Sequence, residues 1–208
     1  MSTKDQLRRV ILFGSNLEVE DVLLQQGSYV DVYDDDHTTL ALSGQPCCNW
    51  NEAFNMIRYN VDKHYTVLCG VCSTPKKRKS AVKRIISQLN GCANWAWGMV
   101  ESAKACVSPD LVWTQGNMVL DLAYVGPRVK LEPFSVILPG GKVYHECTLG
   151  KYSIIVGGAT VLGKARIEDM SRVCGNATIL PLGKVGPGAT VGAGTTVKRL
   201  CLEDGDDT

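Results

Sequence analysis

Every sixth residue from Val107 to Val197 is apolar, sixteen positions without a slip in register. The series runs Val107, Trp113, Val119, Val125, Leu131, Ile137, Val143 and Leu149. It continues through Ile155, Val161, Ile167, Val173, Ile179, Val185, Val191 and Val197. Fifteen of the sixteen are branched aliphatics. Two residues before each, from Ala123 onward, stands a residue that is nearly always small: Ser135, Gly141, Cys147, Ser153, Ala159, Ala165, Ser171, Ala177, Gly183, Ala189. An α-helix cannot use this period, because 3.6 does not divide six and the apolar stripe would wander around it. A three-sided coil can. Each hexapeptide forms one side, the aliphatic residue points inward, and the small residue fits where the chain turns. The pattern predicts a left-handed parallel β-helix.

The first hundred residues have another texture. Arg8 to Gly14 reads as a buried strand ending in glycine, and Leu17 to Gln26 as a helix capped by Asn16. Tyr29 to Tyr33 is a second strand, followed by Asp34, Asp35 and Asp36. Asn49 to Tyr59 is a helix with Trp50, Phe54 and Ile57 on one face. Tyr65 to Gly70 is a third strand, and Lys76 to Asn90 a basic helix with Val82, Ile85, Ile86 and Leu89 as its stripe. Alternating strands and helices predict an α/β N-terminal unit of Rossmann type with a small parallel sheet. The domains are expected at 1–103 and 104–208, the change coming near residues 100–107.

The formal net charge of +1 shows neither a nucleic-acid footprint nor a dominant acidic tail. The acidic end Glu203–Asp207 is short. The apolar run Val10–Phe13 is far too short for a signal segment or a membrane span, so a soluble cytoplasmic chain is expected. The nine cysteines are an odd number. Cys69 in a strand, and Cys147 and Cys201 at small-residue positions of the repeat, read as reduced thiols. Cys69 and Cys72 form a C-x-x-C without a second pair at ligand spacing, so no metal is expected.

In a parallel α/β sheet, ligands bind at the carboxyl ends of the strands. Here those ends carry Gly14, Ser15 and Asn16, then Asp34 and Asp35, then Gly70. Glycine permits close backbone approach, and a helix N-terminus offers free N–H groups to phosphate. Carboxylates after the second strand can accept from a ribose or base; the alternative is a solvated turn. No complete G-x-G-x-x-G is present, which speaks against dinucleotide redox chemistry. Lys76, Lys77, Arg78, Lys79, Lys83 and Arg84 form a cluster read as a solvated helix face, with a substrate diphosphate as the second possibility.

The repeat region holds one histidine, His145, followed by Glu146. Imidazole is the side chain best suited to take a proton near neutral pH, which makes His145 a candidate general base. Glu146 can orient the ring. The plain alternative is an ordinary surface histidine. A zinc prism of the γ-carbonic anhydrase type needs three histidines, which this region lacks.

With these residues in view, the chain resembles the nucleotide-sugar N-acetyltransferases, relatives of the sialic-acid O-acetyltransferases, over almost its whole length. Val143-Tyr-His-Glu-Cys-Thr-Leu-Gly150 is the most specific match, resembling the family's catalytic segment. Glu20-Asp21, Tyr33-Asp34-Asp35, Val100 to Asp110, and Val191 to Val197 also fit. The resemblance implies acetyl-CoA as co-substrate and His145 as general base, with Glu146 in support. It implies a UDP- or dTDP-linked amino sugar, a 4-amino-4,6-dideoxyhexose, held by Gly14, Ser15, Asn16, Asp34, Asp35 and Gly70. Acetyl-CoA would lie between two prisms of a homotrimer, near Ile154, Gly157, Gly163, Gly175 and Ala193, with Gly163 the candidate oxyanion donor. Two departures stand out. The loop after the first strand is only Gly14-Ser15-Asn16, and Ile154 replaces a second histidine common in the family. The rival readings are a sugar O-acetyltransferase and a catalytically weakened β-helix scaffold.

Overall fold

The structure is a computed structural model, and it describes residues 9–35, 39–44 and 47–198. Arg8, Asp36, Cys201 and the acidic end Glu203–Asp207 lie outside the described residues.

Local signals place the first elements. Strand β1 is Arg9–Phe13, and helix α1 is Leu17–Gln25. Asn16 caps α1 by accepting from the Val19 N–H at 3.1 Å, which satisfies one of the helix's orphan donors. Strand β2 is Tyr29–Tyr33, and helix α2 is Trp50–Tyr59 with Asn49 as its cap. Strand β3 is Tyr65–Cys69. Helix α3 is Pro75–Gln88, opened by a Thr74 cap and by proline, whose missing N–H is no loss at a first helical position. A fourth strand, β4, is Trp95–Trp97. The sheet is parallel, in the order β2-β1-β3-β4. Within it Phe13 stacks on Phe54 at 4.9 Å between ring centroids.

One expectation about this part is corrected. Ile86 is 44 % exposed and lies off the buried stripe of α3, which Val82, Ile85 and Leu89 form. Strand β4 carries no sequence signal of its own: three residues with two tryptophans show too little alternation to announce one. Its meaning is tertiary, because Trp97 meets Phe134 of the repeat region edge-on at 4.9 Å, and Phe134 stacks on Tyr152 at 5.3 Å.

From Val100 onward the chain coils. Each turn takes 18 residues, since Ile137 pairs with Ile155 and Ile155 with Val173, in parallel. Three sheets result. Sheet 1 stacks the strands from Val100–Glu101 to Thr190–Val191, and sheet 2 those from Cys106–Val107 to Thr196–Val197. Sheet 3 stacks Lys130–Leu131, Thr148–Leu149, Arg166–Ile167 and Lys184–Val185. This arrangement fits the left-handed parallel β-helix read from the period. The hexad aliphatics from Val119 to Val191 are buried in one core, with Val107, Trp113 and Val197 packed at its ends. Fully burying such a side chain contributes about 1.5–3 kcal/mol.

The corners use the backbone in a way the side-chain pattern does not announce. Every sixth residue from Gly116 to Gly194 has positive φ, and nine of these are not glycine, among them Leu122, Arg128, Glu146, Tyr152 and Lys164. Each left-handed L-residue costs about 1–2 kcal/mol. The small residue beside it sits behind the corner: Ala159, Ala165 and Ala177 are fully buried, and the Ala159 N–H closes the turn on the Val156 carbonyl at 3.1 Å. A larger side chain there would displace the core.

The α/β part covers sheet 1. Val10, Leu12, Val19, Val22 and Leu23 form one cluster with Val100, Met118, Leu120 and Val136. Sheets 2 and 3, and the corner between them, stay open.

Candidate active site

His145 stands on that open corner. It is the residue before left-handed Glu146 (φ 61°), so its side chain projects from the edge of the prism, half exposed. The 18-residue coil puts Pro127, His145, Gly163 and Pro181 in one column. Gly163 is buried, and a methyl group there would lie 2.5 Å from His145 Nε2 and 2.6 Å from Cε1. The imidazole therefore rests on the Gly163 backbone, and glycine is what gives it room. The Lys164 N–H donates to the His145 carbonyl at 2.9 Å, which fixes the backbone from above.

Glu146 lies beside the ring. Its Oε1 is 4.0 Å from His145 Nδ1, a charge contact longer than a hydrogen bond. The carboxylate is shared: Arg128 donates to it from Nε at 3.2 Å and from Nη2, and Lys164 Nζ stands at 3.6 Å. The Arg128 hydrogen bond, with Lys164 and His145 adding to it, holds the Glu146 pKa below the usual carboxylate range. Glu146 stays anionic and places negative charge next to Nδ1.

The residues read as cofactor contacts separate into three places. Gly163 is under His145. Gly157, Gly175 and Ala193 form a column on the other edge of sheet 2, again one coil apart. Glycine there answers first to the coil itself: a Cβ at Gly157 would come within 2.7 Å of the Pro139 carbonyl oxygen. Between the two edges run Thr160, Thr178 and Thr196, small outward residues of sheet 2. Ile154 belongs to neither edge. It is fully buried, on sheet 1 between Val136 and Arg172, and offers a ligand no surface in this chain.

The residues read as acceptor contacts gather at the carboxyl ends of β1, β2 and β3, but their roles are largely internal. Gly14 and Gly70 are buried against each other, so that a Cβ on Gly70 would sit 2.1 Å from the Gly14 carbonyl oxygen. The close approach that glycine permits is between two loops. Asp34 Oδ2 accepts from the Ser15 N–H at 2.8 Å, and Asp35 Oδ1 from the Trp50 N–H at 3.1 Å. Asn16 caps α1. Glu20, 2 % exposed, takes the Ser15 hydroxyl at 3.2 Å and the Leu42 N–H at 2.7 Å. The protein's own side chains thus occupy these helix starts, Asn16 at α1 with Asp34 on the preceding Ser15 N–H, and Asp35 at α2, where the helix dipole favours negative charge.

The basic cluster on α3 is corrected at one residue. Arg78 is fully buried and faces no solvent. It donates to the backbone carbonyls of Cys69, Val71, Phe134 and Gly116, the last at 3.0 Å. It joins β3 to the repeat region and is not available to a diphosphate. Lys76, Lys77 and Lys83 remain exposed. Arg84 lies over the Trp50 ring at 4.7 Å and pairs with Asp35.

Cys69 and Cys72 are buried free thiols. Burial pushes Cys72 up to about 11, against the pull of the nearby Arg78 cation. Among the described residues, no group of three or more His, Cys, Asp or Glu side chains could hold a metal ion, and no helix is long and apolar enough to cross a membrane.

One feature escaped the sequence reading. Arg128, Lys130, Glu146, Thr148, Lys164, Arg166, Leu182 and Lys184 line an open groove of about 680 Å³ on sheet 3. Its signal is present at a spacing of 18, in Lys130, Thr148, Arg166 and Lys184, which pair in register. A scan at six does not separate the three sheets.

No protein-family model and no curated protein matches the sequence. Solved structures do. The acetyltransferase domain of PglB from Neisseria gonorrhoeae FA1090, in complex with acetyl coenzyme A, is 22 % identical with a TM-score of 0.77, covering 92 % of this chain and 93 % of that one. PerB from Caulobacter crescentus, in complex with CoA and GDP-perosamine, is 19 % identical with a TM-score of 0.62 over 90 % of each chain. WeeI from Acinetobacter baumannii AYE is 18 % identical with a TM-score of 0.60, covering 92 % and 93 %. At these identities the likeness is one of fold, and it extends over both the α/β part and the coil.

Proposed function

We propose that the chain is an acetyl-CoA-dependent N-acetyltransferase that acylates the amine of a nucleotide-linked amino sugar, with His145 as general base. The observation that carries this reading is the imidazole seated on Gly163 beside anionic Glu146, on an exposed corner of the prism. The fold shared with a PglB acetyltransferase domain bound to acetyl-CoA and with PerB bound to CoA and GDP-perosamine supports it.

In this reading the amine nitrogen bonds to the acyl carbon as the carbon–sulfur bond breaks. The proton that the nitrogen loses passes to His145 Nε2 and on to the departing sulfur. Gly163 is the candidate backbone donor to the oxyanion. Acetyl-CoA would run over the threonines of sheet 2, between the His145 corner and the column of Gly157, Gly175 and Ala193. The α/β part would hold the nucleotide near Asp34, Asp35 and Gly70, and the coil from Val100 onward would carry the chemistry. That part covers sheet 1, whereas His145 lies between sheets 2 and 3. One chain separates the two halves of the site, so a homotrimer with sites between subunits is part of the proposal, as is a cytoplasmic location.

The test is thiol released from acetyl-CoA in the presence of UDP-, dTDP- and GDP-linked amino sugars. Release with one acceptor is expected, and in His145→Asn the rate falls by about 10²–10⁴. Release only with hydroxyl acceptors would move the reading to O-acetylation. No release with any acceptor would overturn it.

A further inference from the structure

The groove on sheet 3 concentrates positive charge in a chain that is nearly neutral overall. Five cations, Arg128, Lys130, Lys164, Arg166 and Lys184, line it with one carboxylate, Glu146, whereas the net charge of the whole chain is +1. Three of the five are paired: Arg128 and Lys164 with Glu146, and Lys184 with Glu168 at 3.3 Å. Lys130 and Arg166 have no carboxylate within ion-pair distance among the described residues. They flank Thr148 in the ladder. Strand spacing puts them about 10 Å apart across it, with a short hydroxyl side chain between two long cations. The groove reaches the reacting corner, because Glu146 is both its carboxylate and the neighbour of His145.

At the starts of α1 and α2, by contrast, the protein's own carboxylates already take backbone donors. Asp34 holds the Ser15 N–H just before α1, and Asp35 holds the Trp50 N–H at the first position of α2. A diphosphate brought there would meet carboxylates.

We propose that the sheet 3 groove is a subsite for the diphosphate ester of one of the two substrates, seated over Thr148 between Lys130 and Arg166. This rests on the acetyl-transfer reading, in which the nucleotide acceptor and coenzyme A both carry a diphosphate. Ammonium and guanidinium groups on both sides of the notch match its charge, and the bonds they form are charge-assisted. An open groove of this kind binds less tightly as salt rises.

The test is calorimetric titration of the full-length chain with inorganic pyrophosphate, coenzyme A, UDP and GDP. The variants are Lys130→Glu, Arg166→Glu and, as control, Lys63→Glu, an exposed lysine on the turn between α2 and β3. Thermal melting checks that each variant is folded. Pyrophosphate binding is expected to weaken about tenfold in Lys130→Glu and Arg166→Glu, and to stay within twofold in Lys63→Glu. The source is whichever of coenzyme A or the nucleoside diphosphates weakens in parallel. Absence of pyrophosphate binding in the wild type, equal binding in all variants, or equal weakening in all three would each overturn the proposal. Loss of thiol release in the wild type would sink the acetyl-transfer reading and leave the pyrophosphate result standing.

Discussion

His145 and Gly163 work as a pair eighteen residues apart. Gly163 does not need positive φ, so alanine suits its backbone, and the added methyl would strike only the edge of an exposed ring. The ring can swing away. Gly163→Ala is therefore expected to keep its melting temperature within about 3 °C, while on the proposed acetyl transfer kcat falls at least about tenfold because the imidazole is displaced. Melting with a retained rate would show that the seat is structural only. Arg78 is the opposite kind of residue. Its planar fork meets carbonyls of Cys69, Val71, Phe134 and Gly116 from inside the protein. Arg78→Met leaves those acceptors unpaired and is expected to destabilise by about 3 kcal/mol or more, as read by urea unfolding. Arg78→Lys does not restore it, because an ammonium cannot reach acceptors arranged for a fork.

At the scale of the element, the hexapeptide separates two neighbours completely. Ile155 is inward and fully buried, and Thr160 is the outward residue of its strand. Ile155→Ala is expected to destabilise by about 2–5 kcal/mol through lost burial and a cavity that the rigid prism cannot close. Thr160→Ala is expected within about 0.5 kcal/mol. Equal effects in denaturant titrations would contradict the inward–outward assignment. The corners add a cost that stacking must offset, since nine residues other than glycine hold left-handed backbone there. Glu146 is one of them, and its conformation aims the carboxylate along the column between Arg128 and Lys164.

For the whole molecule, the two parts share a boundary rather than a linker. The α/β part packs on the first rungs of sheet 1, with Val10, Leu12 and Val19 in one cluster with Val100, Met118 and Val136, which leaves sheets 2 and 3 open. The thiols report on this packing. Burial raises Cys47 and Cys72 from 9.0 to about 11. Between those values the native chain keeps protons that the unfolded chain has released, so stability falls as pH rises from 9 toward 11. Thermal melts across that range should show the loss, and Cys72→Ala should lessen it. A melting temperature independent of pH there would mean that these thiols are not sequestered. At pH 8, iodoacetamide should label exposed Cys106 well before buried Cys72 and Cys147.

The sequence by itself determined the coil, its register and the inward face of every turn, because a period of six is a local property that survives without a partner. It determined the helix cap at Asn16 for the same reason, and it singled out His145 as the one imidazole of the repeat; Asn49, read as the first residue of its helix, is the cap one position before it. Tertiary structure decided what lies eighteen residues or a whole domain away. Gly163 under the imidazole, the basic ladder Lys130–Thr148–Arg166–Lys184, and the backbone contact of Gly14 with Gly70 exist only once coils and loops are stacked. Arg78 shows the limit most sharply. Lys76 and Lys77 just before it are solvated, and only the carbonyls of β3 and the repeat region, converging from distant parts of the chain, make burying a guanidinium there favourable.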